Sequence, residues 1–115
     1  MSENIIFEDK IGWQPHPKFE GIEIKPFFSQ KAQGSQATVV LVRIKKGVLL
    51  PEHIHEDSDD IVYILSGRGK GFVEGVGEFV VQKGMGIRIP KMKKHRMYDI
   101  EEDLIFYDIF APPTM

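Results

Sequence analysis

The chain has 115 residues, of which 42% are hydrophobic and 28% are charged, proportions typical of one folded globular domain rather than of a disordered segment. Its formal net charge of -2 supplies no basic field, which argues against a nucleic-acid partner. Cysteine is absent, so disulfides, thiolate metal sites and a cysteine nucleophile are excluded, and histidines and carboxylates remain as the strong metal ligands.

The beginning of the chain carries no recognisable targeting signal. Residues 1–9 are acidic and lack the basic start and apolar stretch of a signal peptide, and no apolar run approaches the roughly 20 residues of a membrane span. We therefore expect a cytoplasmic protein with no membrane partner. The segment 13–17 is too rich in proline for a central strand, and residues 1–20 are predicted to form an N-terminal extension. His16, which lies between two prolines, is expected to be structural or exposed.

The rest of the chain, residues 21–115, is predicted to form a single β domain. Eleven glycines and seven prolines leave no window for a long amphipathic helix. Short runs rich in β-branched and aromatic residues recur between turn residues, and this spacing favours a sandwich, a jelly roll or a barrel. The predicted strands are Gly21–Phe28, Thr38–Lys45, Leu49–His55, Asp60–Ser66, Lys70–Glu74, Glu78–Gln82, Ile87–Pro90, His95–Ile100 and Leu104–Phe110.

The predicted strand after Asp60 is apolar on both faces. Val62 and Ile64 lie on one face, and Ile61, Tyr63 and Leu65 lie on the other. A small two-layer fold cannot easily bury both faces, so the outer one is predicted to be covered in a homodimer. The alternative is that the N-terminal segment covers it.

Two of the four histidines, His53 and His55, are separated by one residue in a strand pattern. Their side chains therefore leave the same face, about 6.5 Å apart along the strand. That geometry suits a shared metal ion, which needs further ligands from neighbouring strands. Asp60 and His95 are the candidates.

The spacing of these residues resembles that of a known family. Gly47-x5-His53-x-His55-x4-Asp60-x6-Gly67 is similar to the first cupin motif, and Gly84-x5-Pro90-x-Met92-x2-His95-x3-Asp99 is similar to the second. The resemblance implies an all-β fold, an antiparallel double-stranded β-helix (jelly-roll) barrel. It also implies metal ligands at His53, His55, Asp60 and His95, with a divalent transition metal (Fe, Mn, Ni, Cu or Zn) as the cofactor.

Three positions depart from the motifs. Asp60 stands in place of glutamate and is shorter by one methylene. Three arrangements are therefore open: the carboxylate binds the metal directly, it binds through a water molecule, or it does not bind and the three histidines form the site. Asp59 is an alternative ligand, although six residues separate Asp60 from Gly67 as the motif requires. Met92 and Asp99 replace a glycine and an asparagine, which concerns the turn and the strand after it.

Other interpretations of these residues stay open. His53 and His55 can be solvated residues beside the acidic run 56–60, which lacks the central glycine and distal glutamate of a calcium loop. The cations around His95 favour a solvated loop over a nucleic-acid patch, and they can also attract anionic substrates. These cations are Lys91, Lys93, Lys94 and Arg96.

A site of this kind leaves open coordination positions for a small-molecule substrate or ligand. We expect a metal-dependent enzyme of dioxygenase, decarboxylase or isomerase type that acts on a small oxygenated or carboxylate-bearing molecule. The alternative is a ligand-binding or sensor protein without turnover. No motif places a general acid or base: Tyr98, Glu74 and Arg88 are the possibilities, and Met97 is expected to pack in the core.

Overall fold

The computed structural model describes residues 3–115, which form eight β-strands and two very short helices. The strands are β1 (Gln14–Pro15), β2 (Ile22–Phe28), β3 (Thr38–Ile44), β4 (Leu50–His53), β5 (Asp59–Val73), β6 (Gly77–Gln82), β7 (Gly86–Ile89) and β8 (His95–Ala111). The helices are a 3-10 turn (Glu8–Lys10) and α1 (Gln30–Gln33). Neither is long and apolar enough to span a membrane.

All strand pairs are antiparallel, and the two long strands β5 and β8 organise the sheet. The strand order is β1-β2-β3-β8-β5-β6, with β4 paired to β8 and β7 paired to β5. Each long strand changes neighbours along its length: β5 pairs with β7 near its start and with β6 near its end, while β8 pairs first with β4 and then with β3. The predicted all-β antiparallel architecture is confirmed.

Several predicted strand boundaries were wrong. The predicted strands 60–66 and 70–74 are one strand, β5, and the predicted strands 95–100 and 104–110 are one strand, β8. The pairing of β5 with β8 shifts register around Ser66 and Arg68. Such bulges let a strand bend without ending. β4 ends at His53, two residues before the predicted end. The segment predicted as an extension contains β1, which pairs with β2 at the edge of the sheet, where proline is tolerated.

Gly67 lies at the bend of β5 and has a φ of +97°. A Cβ at this position would collide with the backbone oxygen of Asp103 and lie 2.7 Å from the Cα of Leu104 on β8. Glycine is therefore required both for the backbone conformation and for the close approach of the two long strands.

Gly67→Ala is expected to lower the free energy of unfolding by about 3 kcal/mol, since it combines left-handed strain with overpacking against backbone. Gly84→Ala is the control, because Gly84 also has a positive φ of +88° but meets nothing within 4 Å. It should cost about 1 kcal/mol. Urea denaturation of both variants measures the difference. Equal losses would mean that the contact with β8 is unimportant.

The core lies between the inward faces of the strands. Ile44, Ile64 and Leu104 have no exposed surface, and Phe106 is 1% exposed. The outer face of β5 is different: Ile61 is 43% exposed and Tyr63 is 49% exposed. Trp13 stacks instead with Arg43, 4.3 Å from the ring centroid, so the N-terminal segment packs on β2 and β3 of its own domain. The homodimer stays a prediction.

Candidate metal centre

Three of the four predicted ligand residues form a compact cluster at one end of the sheet. His53, the last residue of β4, lies opposite His95, the first residue of β8, and His55 follows two residues after His53. One side-chain nitrogen from each of the three histidines lies within 4.8 Å of the other two. The strand pairing therefore brings together histidines from both sequence motifs, and such a cluster can hold a metal ion.

Backbone carbonyls orient two of the imidazole rings. Nδ1 of His53 lies 2.7 Å from the carbonyl oxygen of Pro51, and Nδ1 of His95 lies 3.0 Å from that of Lys93. Each Nδ1–H donates to its carbonyl, so the neutral ring keeps a free lone pair on Nε2. Metal-binding histidines are commonly held by an outer hydrogen bond of this kind.

Burial keeps the three imidazoles neutral. Desolvation lowers the pKa of His55 to about 4, with smaller contributions from His53 and His95. Desolvation also lowers the pKa of His95 to about 4, and it lowers the pKa of His53. All three rings are thus in the unprotonated state that metal coordination requires at neutral pH.

Asp60, the fourth predicted ligand residue, lies beside this cluster and is 3% exposed. Its Oδ2 is 3.6 Å from Nε2 of His55 and 3.6 Å from Nε2 of His95. Burial raises the pKa of Asp60 to about 6, while the two imidazole pKa values are lowered, so these contacts are not ion pairs. At pH 7 a largely ionised carboxylate faces neutral rings.

The orphaned atoms of the cluster fit a bound cation. Nε2 of His95 and Oδ1 of Asp60 are both buried without a hydrogen-bond partner among residues 3–115. An unpaired buried polar atom costs about 1–3 kcal/mol. A metal ion at this position would satisfy both acceptors, and imidazole and carboxylate are the ligands that divalent transition metals accept.

Met92 holds the loop before His95 against the loop that carries His55. Its N–H donates to the carbonyl oxygen of His55 over 2.7 Å. Met92 has a φ of +70°, the left-handed conformation that glycine adopts most easily. The backbone therefore keeps the turn even though methionine replaces the motif glycine. Asp99, which replaces the motif asparagine, also has a positive φ, at +48°.

A cavity of about 160 Å³ opens beside the histidine cluster. This is smaller than the roughly 300–1,000 Å³ of pockets for drug-sized ligands, so the space suits a small molecule. Much of its wall is aliphatic and aromatic, contributed by Ile22, Val42, Ile44, Val62, Ile89 and Phe106.

Asp108, which was not predicted as a site residue, lines the same cavity. Asp108 lies opposite Val62 in the pairing of β5 and β8, which puts it diagonally next to Asp60 on the inner face. Its Oδ1 is buried and unpaired among the described residues. Burial raises the pKa of Asp108 well above the usual value, and the neighbouring Asp60 charge raises it further. Two close buried carboxyls cannot both ionise easily.

A signal for Asp108 was present in the sequence. It is the one charged residue in the apolar run Leu104–Phe110. It also shares strand parity with Leu104, Phe106 and Phe110, all of which are buried. A carboxylate on the core-facing side of a strand is costly unless it has a partner or a function.

His16 belongs to the cavity wall, which the sequence did not indicate. It is half-buried and lines both this cavity and a neighbouring one of about 200 Å³. Its ring centroid is 5.0 Å from that of Phe19, which in turn is 4.7 Å from that of His53. Phe19 therefore packs against both His16 and the histidine cluster.

Most of the remaining candidates lie outside the cavity. Asp59, the alternative ligand, accepts hydrogen bonds from the Arg88 side chain and from the N–H of Lys91. Glu74 accepts from the N–H of Lys94, and Arg96 pairs with Glu52. Neither Tyr98 nor any of the four cations around His95 lines the cavity. Met97 lies in the core cluster as expected, and it also lines the cavity.

Comparison with known proteins gives one family match. The model of the cupin domain matches residues 40–110, which include the three histidines, Asp60 and Asp108. No curated protein matches the chain.

Solved structures share the whole fold. KdgF from Halomonas sp. is 23% identical with a TM-score of 0.78, covering 92% of this chain and 90% of that one. A predicted oxalate decarboxylase from Thermotoga maritima is 19% identical with a TM-score of 0.81, covering 94% and 98%. Ectoine synthase from P. lautus is 19% identical with a TM-score of 0.74, covering 83% and 67%. At these identities the likeness establishes the jelly-roll fold, which confirms the predicted fold class.

Proposed function

The chain belongs to the cupin domain family, and we propose that it is a metal-dependent enzyme acting on a small oxygenated or carboxylate-bearing molecule. One observation carries this proposal: a cluster of histidines with an unpaired buried acceptor shares a small cavity with a second carboxyl group, that of Asp108. Convergent polar groups in a largely apolar cavity are the usual arrangement of an enzyme site.

His53, His55 and His95 are proposed to hold a divalent transition metal, one of Fe, Mn, Ni, Cu or Zn, with Asp60 as the fourth ligand. The short distances from Asp60 to His55 and His95 support its inclusion. When bound, such a metal polarises a substrate oxygen and fixes the substrate in the cavity.

Asp108 is proposed to contact the substrate. It lies on the cavity wall next to Asp60, and its buried Oδ1 has no partner among residues 3–115. A carboxyl group placed there can accept or donate a hydrogen bond to a substrate hydroxyl, and can move a proton to or from it. The aliphatic walls exclude bulk water, which strengthens that interaction.

Reconstitution tests the proposal. The chelated protein is reloaded with each of the five metals and incubated with short-chain carboxylates, hydroxy acids and 2-oxo acids, with and without oxygen. Proton NMR is expected to show conversion of one substrate class that requires metal and disappears on chelation.

The alternative of a ligand-binding module without turnover is favoured by the aliphatic share of the cavity wall. It predicts saturable binding of a small ligand with no conversion under any metal. That result would replace the enzyme proposal.

The pH dependence of metal affinity tests the role of Asp60. Its pKa is about 6, whereas those of His55 and His95 are about 4, so protons compete for Asp60 first as the pH falls. Affinity should decline below pH 6 by about tenfold per unit and more steeply near pH 4. The metal affinity of Asp60→Asn should be lower than that of the wild type, but it should stay nearly constant down to about pH 5. Parallel profiles for the two proteins would remove Asp60 from the ligand set.

A homodimer formed through the outer face of β5 is part of the proposal. The exposed Ile61 and Tyr63 side chains support it, since neighbouring large apolar side chains in water favour association. Light scattering gives the mass in solution, and Tyr63→Glu should shift it toward the monomer. A monomeric wild-type protein would reject this arrangement.

A further inference from the structure

The turn after β1 forms part of the cavity wall. The N–H of His16 donates to the carbonyl oxygen of Ile22 over 2.8 Å, which continues the pairing of β1 with β2. His16 and Lys18 both line the cavity beside the histidine cluster and the neighbouring cavity of about 200 Å³. Asp108 lines both cavities as well. A ligand that occupies the two spaces therefore meets this turn.

Hydrogen bonds fix the proton on the His16 ring. Nδ1 accepts from the backbone N–H of Lys18 over 3.0 Å and from that of Phe19 over 3.1 Å. A nitrogen that accepts two hydrogen bonds carries no proton, so the neutral ring carries its proton on Nε2. No acceptor for this Nε2–H is found among the described residues. His16 therefore presents one fixed donor on the cavity wall.

Lys18 adds a positive charge next to this donor. Its side chain is exposed and no carboxylate oxygen lies within 4.0 Å of its Nζ in the part of the chain that the structure describes; its contact is with the Phe19 ring, 5.3 Å from the centroid. The other basic side chains near the histidine cluster do not line the cavity. Arg88 pairs with Asp59 and Arg96 with Glu52, and Lys91, Lys93 and Lys94 are exposed. Among the described residues that line the cavity, Lys18 alone carries an ammonium group.

We propose that His16 and Lys18 form an anion subsite that binds a carboxylate group of the substrate, while another oxygen of the same molecule reaches the metal site. A fixed N–H donor and an ammonium suit the two oxygens of a carboxylate, because hydrogen bonds to charged groups are the stronger ones. The inference rests on the proposed function and narrows its substrate class to small acids with a second oxygen function.

Binding of model acids to the zinc-loaded protein tests the subsite by calorimetry. Malonate and succinate are the probes, and malonamide is the uncharged counterpart of malonate. Lys18→Met is expected to weaken binding of the better dicarboxylate by about tenfold or more, the value of one hydrogen bond to a charged group. Lys18→Arg should restore most of the affinity. Malonamide should bind weakly to every form.

Two further variants sharpen the test. His16→Asn keeps an oxygen where Nδ1 accepts the turn hydrogen bonds but removes the Nε2–H, and should weaken dicarboxylate binding several-fold. Lys91→Met, a charge loss at an exposed site outside the cavity, should leave binding unchanged. All variants should bind zinc like the wild type, since their substitutions spare the histidine cluster.

The outcomes separate the two proposals. A wild-type protein that binds zinc but neither dicarboxylate would overturn the subsite, as would equal affinities in the wild type and Lys18→Met. Equal losses in Lys91→Met and Lys18→Met would reduce the effect to overall charge and would also reject it. A wild-type protein that fails to bind any of the candidate metals would overturn the proposed function itself.

Discussion

Replacing His95 with glutamine should abolish stable metal binding. His95 contacts the other proposed ligand residues: it faces His53 across the β4–β8 pair, with ring centroids 4.1 Å apart, and its Nε2 lies 3.6 Å from Asp60 Oδ2. Loss of an outer hydrogen-bond partner alone costs metal affinity about 10- to 100-fold, and loss of the ligand itself should cost at least about 100-fold. Elemental analysis after reconstitution should find far less than one metal per chain.

His16→Asn is the matched control for this experiment. His16 is the only histidine outside the cluster, and the variant should keep the full metal content. Thermal melts of the metal-free proteins show whether both variants fold. A folded His95→Gln protein that retains wild-type metal affinity would contradict the site.

Asp108→Asn should stabilise the metal-free protein at alkaline pH. Burial and the Asp60 charge raise the pKa of Asp108 in the folded state, so the folded chain binds more protons than the unfolded chain above about pH 4. The free energy of unfolding of the wild type therefore falls as the pH rises through that range. Asparagine removes this penalty, and the gain at pH 8 should be of the order of 1–3 kcal/mol.

The gain should shrink toward pH 4, where both carboxyls of the wild type are protonated. Asp59→Asn is the control, because hydrogen bonds from Lys91 and Arg88 lower the pKa of Asp59 instead; it should give no gain. Urea denaturation at several pH values tests both variants. An Asp108→Asn protein less stable than the wild type at pH 8 would show that the ionised Asp108 has a stabilising partner.

The same variant tests the proposed role of Asp108 in turnover. The three histidines are untouched, so metal content should be near that of the wild type. If Asp108 moves a proton during the reaction, the rate should fall by about 10²- to 10⁴-fold. If Asp108→Asn binds metal and keeps full activity, Asp108 has only a structural role.

The repeated spacing of β-branched runs was enough to predict an all-β chain. The two motifs were enough to predict that His53, His55 and His95 lie together. The merging of predicted strands into β5 and β8 was not predictable in this way. A glycine between two apolar runs, such as Gly67, usually indicates a turn. Only the close passage of β8 beside it shows that the strand continues. Local composition does not report such long-range contacts.

Some of the cavity residues were predictable from the sequence and others were not. Asp108 was within reach of a parity argument, since it shares the inward face of β8 with Leu104 and Phe106. His16 and Lys18 were not, because no periodicity links a proline-rich segment to a site some 40 residues later in the chain. The pairing of β1 with β2 and the turn that follows it place them there.

The hydrogen bond from Met92 to His55 makes one backbone amide a reporter of the whole site. This amide can exchange with solvent deuterium only when the loop before His95 separates from the loop that carries His55, because the bond between them protects it. Its exchange rate in the metal-free protein therefore measures how often the cluster opens. If an added metal ion or small carboxylate ligand slows the exchange of that one amide, the change measures binding at the site without knowledge of the reaction.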